Sequence, residues 1–227
     1  MSCSSPRALR RRNQIKIQMK NNNLEKRSFI SEIRSEGENS RLIRGLAIPA
    51  GKRSELLYGE FYETIEPKAL EDVIERFDVK LYLNHDQTQG TFARSKFGKG
   101  SLRLFITDRG LEYETEAPNT AFGDMLLEGI RRGDFDSMSF AFAPDEDEWE
   151  ENEDGTYNRT IKHIGLLDEV SILSCAPAYE QTEVKLRSLE QFKEEKRQAE
   201  EEKEKQILES LDAKMKEFED AVKEIQI

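Results

Sequence analysis

The sequence predicts a mixed fold that is mainly β: an antiparallel, barrel-like core with packed helices, extended by a long charged C-terminal helix. Three observations predict it. Residues 28–186 hold most of the aromatics and nearly all the short alternating apolar runs, each closed by a turn signal. Two segments within them repeat at the helical period. Residues 187–227 contain no Gly, Pro, Trp, Tyr or Cys and consist mostly of Glu, Lys, Gln and Leu, the composition of a solvated helix.

The elements follow in order. Arg41 to Pro49 (RLIRGLAIP) reads as a strand closed by Pro49-Ala50-Gly51, and Tyr58 to Ile65 alternates as a second. Pro67 suits a first helical turn, and Leu70, Val73, Ile74 and Phe77 continue it. Lys80 to Asn84 is a short apolar strand that ends at His85. Leu102 to Thr107 and Leu111 to Ala117 flank Asp108-Arg109-Gly110 and read as a hairpin. Asn119 or Thr120 caps a helix carrying Phe122, Met125, Leu126 and Ile130, which stops at Gly133. Asp136 to Ala143 is a strand, the acidic run Asp145 to Asp154 a loop, and Thr160 to Cys175 a long apolar strand.

This divides the chain into a basic, disordered N-terminal arm (1–27), a folded domain (28–186) and a charged helical or coiled-coil tail (187–227). The arm has eight Lys and Arg against one acid, Glu25, and Met19 opens a stretch that reads like a natural start, making 1–18 an upstream extension. In the tail, Leu208, Leu211, Met215, Phe218, Val222 and Ile225 are spaced three, four, three, four, three, a heptad stripe that fits a coiled coil or a helix lying on another protein.

Charge and composition exclude several function classes. The chain has 227 residues, a formal net charge of -11 and 36% charged residues, so its body does not suit a phosphate backbone and no specific nucleic acid is expected. No apolar run of about 18 residues predicts a membrane span. Two cysteines, Cys3 and Cys175, form neither a disulfide framework nor a zinc site. The run 145–154 lacks the spaced ligands of a calcium loop and reads as a solvated hairpin tip. No metal and no cofactor are expected.

Acid–base work near neutral pH usually falls to histidine. The chain offers two: His85, where a strand emerges into a loop, and His163, inside a strand. Serine nucleophiles are many. In DSMSFAF, alternation puts Ser137 and Ser139 on one face and Met138, Phe140 and Phe142 on the other. Cys175 ends an apolar strand, where an inert buried thiol is the default and a cysteine nucleophile the alternative. A third group must orient the histidine. On strict alternation His163, Gly165, Leu167, Glu169 and Ser171 share a face, so both His163 and Glu169 fit that role.

The order and spacing of six segments resemble the prohead, or capsid maturation, serine proteases of tailed bacteriophages, relatives of the herpesvirus assemblins. They are RGLAIP at 44–49, GEFYETIEPKAL at 59–70, LNHD at 83–86, the Asp108-Arg109-Gly110-Leu111 turn, IRRGDFDSMSFAF at 130–142 and LLDEVSILSCAPAYEQTEV at 166–184, and together they cover roughly residues 41–186. The resemblance implies an assemblin-like fold and a serine endopeptidase. It matches His85 in LNHD to the general base, Ser139 rather than Ser137 to the nucleophile, and Glu169 of the EVS motif to the orienting acid, with His163 as runner-up. The family often has glycine where Ala141 and Asp136 stand. It further implies action inside the procapsid, in the host cytoplasm. The partners would be the major capsid protein and its scaffolding segment, with self-association as a dimer, removal of the enzyme's own ends and the tail as a handle for scaffold or capsid protein. A catalytically inactive assembly protein acting through its tail is the alternative.

Overall fold

The computed structural model describes residues 24–37, 40–174 and 183–225. The expected N-terminal arm up to residue 23 and Cys175 lie outside them. The chain forms two compact units, divided after Glu180.

The first unit is a mixed α/β body, mostly strands, with eleven strands in two sheets among the described residues. The larger sheet is ordered β1 (Glu25–Ile30), β10 (Ser137–Glu151), β11 (Tyr157–Leu173), β5 (Asp78–Leu83), β6 (Ala93–Lys96), β7 (Lys99–Gly100), with β4 (Phe61–Ile65) also on β11. The smaller is β2 (Arg34–Ser35), β3 (Leu42–Pro49), β9 (Gly110–Glu116), β8 (Leu102–Thr107). One apolar core joins both, with Ile43, Ile48, Leu111 and Tyr113 of the smaller sheet clustered with Met138, Phe140, Phe142 and Val170 of the larger. Gly45 of RGLAIP is set by that core, since a Cβ there would stand 2.8 Å from the Tyr113 ring.

The described strands do not close into a barrel; both sheets are open-ended. The larger sheet is also not purely antiparallel at β4 and β5. Both run parallel to β11, β4 beside Tyr157–Ile161 and β5 beside Glu169–Ile172. A parallel partner needs a crossover rather than a hairpin. That crossover is the segment expected as one helix. It splits into a 3₁₀ turn (Pro67–Leu70) and α1 (Val73–Arg76), neither with a side-chain N-cap bond, and buries Ala69, Leu70 and Val73. The hairpin around Asp108 and the second helix have the expected form. Helix α2 (Ala121–Arg132) is capped by Thr120, whose hydroxyl accepts from Gly123 N at 3.2 Å, and ends on left-handed Gly133 at φ 77°.

The acidic run expected as a loop is strand as far as Glu151. It pairs with a cationic stretch of β11: Arg159 donates to Asp147 at 2.7 Å and Lys162 lies 3.0 Å from Glu148. Trp149 packs on Phe61 with ring centroids 5.1 Å apart. Only the tip from Asn152 to Thr156 turns.

Strand β1 begins inside the basic segment. Its Glu25 and Arg27 enter a buried ionic cluster with Glu63 of β4 and Arg159 of β11. Arg27 donates to both Glu63 oxygens at 2.7 Å and to Glu25 at 2.5 Å. Arg159 donates to Glu25 at 2.6 and 2.9 Å and to Glu63 at 3.1 Å. Burial works to raise the Glu25 pKa, but the Arg27 and Arg159 charges and their hydrogen bonds hold it below the usual value. The cluster fixes β1 along β10, with Ser28 opposite Ser139.

The second unit is one helix, α3 (Glu183–Ile225), exposed from Lys193 to Lys216. No described helix is long and apolar enough to cross a membrane.

Candidate active site

The site is built where three central strands of the larger sheet meet. Strand β5 delivers His85 through a tight turn. Asn84 and His85 are both left-handed, at φ 53° and 58°, a conformation that non-glycine residues adopt at a cost of about 1 kcal/mol or more each. Asn84 holds the turn. Its Oδ1 accepts from Ser174 N at 2.9 Å and its Nδ2 donates to Ser174 Oγ at 3.0 Å, tying the ends of β5 and β11 together. Asp86 caps the next turn, accepting from Thr88 N at 2.8 Å, Thr88 Oγ1 at 2.6 Å and Gln89 Nε2 at 2.7 Å. Those bonds, led by the Thr88 hydroxyl, lower its pKa.

Strand β10 brings Ser139, and β11 brings Glu169 and Ser171, with Ser139 directly opposite Ser171. His85 Nε2 lies 2.8 Å from Ser139 Oγ. His85 Nδ1 is hydrogen-bonded to Glu169 Oε1 and lies 3.2 Å from Ser171 Oγ. An ionised carboxylate only accepts, so this pairing is satisfied when Nδ1 carries the proton and the Nε2 lone pair faces the serine hydroxyl. Ser139, Ser171 and Glu169 are buried, and the imidazole is 13% exposed. Among the described residues Glu169 Oε2 has no hydrogen-bond partner, so the imidazole is the partner of this buried carboxylate.

Chemically, a hydroxyl, an imidazole and a carboxylate in series can move the hydroxyl proton to Nε2 and stabilise the resulting charge. Ser137 does not share the arrangement; its hydroxyl donates to Asp136 at 2.7 Å.

His163 does not join His85. Its Nε2 lies 2.7 Å from Arg76 Nη1 and its Nδ1 lies 2.5 Å from Asp145 Oδ1. His163 stands six residues before Glu169, about 20 Å away along β11, and so meets other partners. Residues Gly165 and Asp168 of β11 are skipped in the pairing with β10, two bulges whose effects on facing cancel between His163 and Glu169 but turn Leu167 into the core. Gly165 has a local cause, since a Cβ there would stand 2.8 Å from the Asp145 side chain.

The contact of Ser171 with the ring is additional to the expected set, although its position two residues from Glu169 carries the signal. The Asn84–Ser174 tie has no sequence signal, because it depends on parallel pairing. Among the described residues no cluster of His, Cys, Asp and Glu could hold a metal ion.

The sequence model of the caudovirus prohead serine protease family matches residues 18–196. No curated protein matches significantly. Among solved structures, the bacteriophage T4 capsid assembly protease is similar over 66% of this chain and 97% of its own, at 12% identity and a TM-score of 0.45.

Proposed function

Because the chain belongs to the caudovirus prohead serine protease family, we propose that it is a serine endopeptidase of capsid maturation, acting inside the procapsid on the scaffolding segment of the major capsid protein and on its own ends. The observation that carries this reading is the 2.8 Å approach of His85 Nε2 to Ser139 Oγ, with Glu169 on the opposite ring nitrogen.

The mechanism rests on that order of contacts. His85 Nε2 takes the Ser139 proton as Oγ attacks the peptide carbonyl. The tetrahedral intermediate collapses to an acyl-enzyme as the imidazolium gives its proton to the leaving amine. Water then attacks the ester with His85 again as base, and Ser139 recovers its proton. Glu169 keeps the proton on Nδ1 and stabilises the imidazolium. Asn84 holds the turn that aims the ring.

One observation favours a second reading. Ser139 is fully buried, so a peptide carbonyl reaches Oγ only after the covering surface moves. That fits a catalytically silent assembly protein. Coexpression of capsid protein with wild type or with Ser139→Ala, followed by mass spectrometry, separates the two. Cleavage by wild type alone supports the protease; intact substrate in both cultures supports the silent protein.

A further inference from the structure

Helix α3 carries a surface that proteolysis does not use. Leu208, Leu211 and Met215 are 60%, 51% and 63% exposed, and the neighbouring Ile207 is 59% exposed. The row continues in sequence through Phe218, Val222 and Ile225. An apolar row at a strict 3.5-residue repeat is the narrow seam of a coiled coil, whereas a helix resting on a globular body shows a wider stripe at 3.6. The seam has a defined start, because one heptad earlier its two positions are Glu201 and Glu204. It therefore spans about 27 Å of helix.

We propose that residues 207–225 pair in parallel with the same residues of a second copy of this chain. Charge decides both the partner and the direction. With Leu208, Met215 and Val222 at heptad position a and Leu211, Phe218 and Ile225 at d, Lys214 falls at g and Glu219 at e. In a parallel pair a g residue faces the e residue five positions on in the other helix. Lys214 of each copy then faces Glu219 of the other, twice per pair. An antiparallel pair with the same layers sets Lys214 against Lys214 and Glu219 against Glu219, which is repulsive. The charge pattern thus complements itself in one register. At under three heptads the pair is weak, so association depends on concentration.

The test is sedimentation velocity of the whole chain over a concentration series, with Ser139→Ala in every sample to prevent self-cleavage. The Leu211→Asp/Met215→Asp variant is expected to stay monomeric with an unchanged thermal melt of the first unit. Lys214→Glu alone is expected to weaken association about tenfold. Adding Glu219→Lys to it should restore the original concentration dependence. A parent chain monomeric at every concentration overturns the proposal, as does association that Leu211→Asp/Met215→Asp leaves intact. A charge reversal that fails to restore association overturns the parallel register. A parent chain that stays monomeric yet binds capsid protein through the same residues assigns the seam to that partner instead.

Discussion

Glu25 and Arg159, 134 residues apart in sequence, share two hydrogen bonds of 2.6 and 2.9 Å inside the protein. They bind the first described strand to the last strand of the same sheet, across β10. The strand that holds Ser139 is thus flanked on both sides by elements that one ionic cluster secures.

Removing one member of such a cluster strands its partners in a medium that solvates charge poorly. Arg159→Met is expected to destabilise the first unit by about 3–5 kcal/mol, because Glu25 and Glu63 are left with Arg27 alone. Chemical denaturation, with the slope checked for two-state behaviour, measures it. A loss below about 1 kcal/mol would place the cluster outside the determinants of stability.

The same cluster sets an acid limit. Glu25 has a folded pKa below the ordinary 4.5. As pH falls, the unfolded chain takes up this proton first, so the stability contributed by Glu25 is complete above that value and drains away as pH falls through the folded one. Glu25→Gln should lower Tm near neutral pH, and its gap from wild type should narrow from about pH 6 to about pH 3.5. A gap that is constant with pH would contradict the assignment.

Ser137 and Ser139 present the same chemical group two residues apart, yet only Ser139 meets the imidazole. Ser139→Ala is expected to reduce peptide cleavage by about 10⁴-fold or more. Ser137→Ala should leave kcat within about threefold, its loss being one hydrogen bond to Asp136. Steady-state kinetics on a capsid-derived peptide distinguishes them. Comparable losses in both would sink the choice of nucleophile.

Glu169 and His163 are separated in the same way. Glu169→Gln offers His85 a neutral partner and is expected to cost about 10⁴-fold in kcat. His163→Gln should leave kcat nearly unchanged, since its contacts are with Arg76 and Asp145. If His163→Gln were the more damaging change, His163 would take the place of Glu169.

Much of this was legible in the sequence. Alternation in RLIRGLAIP, the Asp108-Arg109-Gly110 turn, and the Thr120 and Gly133 caps are local signals, and each gave the element found. His85 at a strand end and the serine face of DSMSFAF were legible for the same reason. What local pattern does not carry is pairing. Glu25 and Arg27 read as part of a polar arm because their partners stand on β4 and β11. Asp145 to Glu151 read as loop because the cations opposite lie on another strand. Alternation gives the face on which a β11 residue lies but not which elements meet it along the strand, and so His163 looked equivalent to Glu169 although it stands about 20 Å away. The barrel expectation failed for the same reason: the strands pair as two open sheets, with β4 and β5 parallel to β11, an order that local pattern does not carry.

The three residues of the site come from β5, β10 and β11, and His85 and Glu169 are 84 positions apart. No short fragment holds the set, and the carboxylate lies on the last described strand of the first unit. During synthesis, His85 and Ser139 leave the ribosome before Glu169 does, and β10 has no long partner until β11 is made. A nascent chain therefore lacks the oriented imidazole until this unit is almost entirely made. Sheet topology alone thus delays assembly of the serine, imidazole and carboxylate until translation of the body is almost complete.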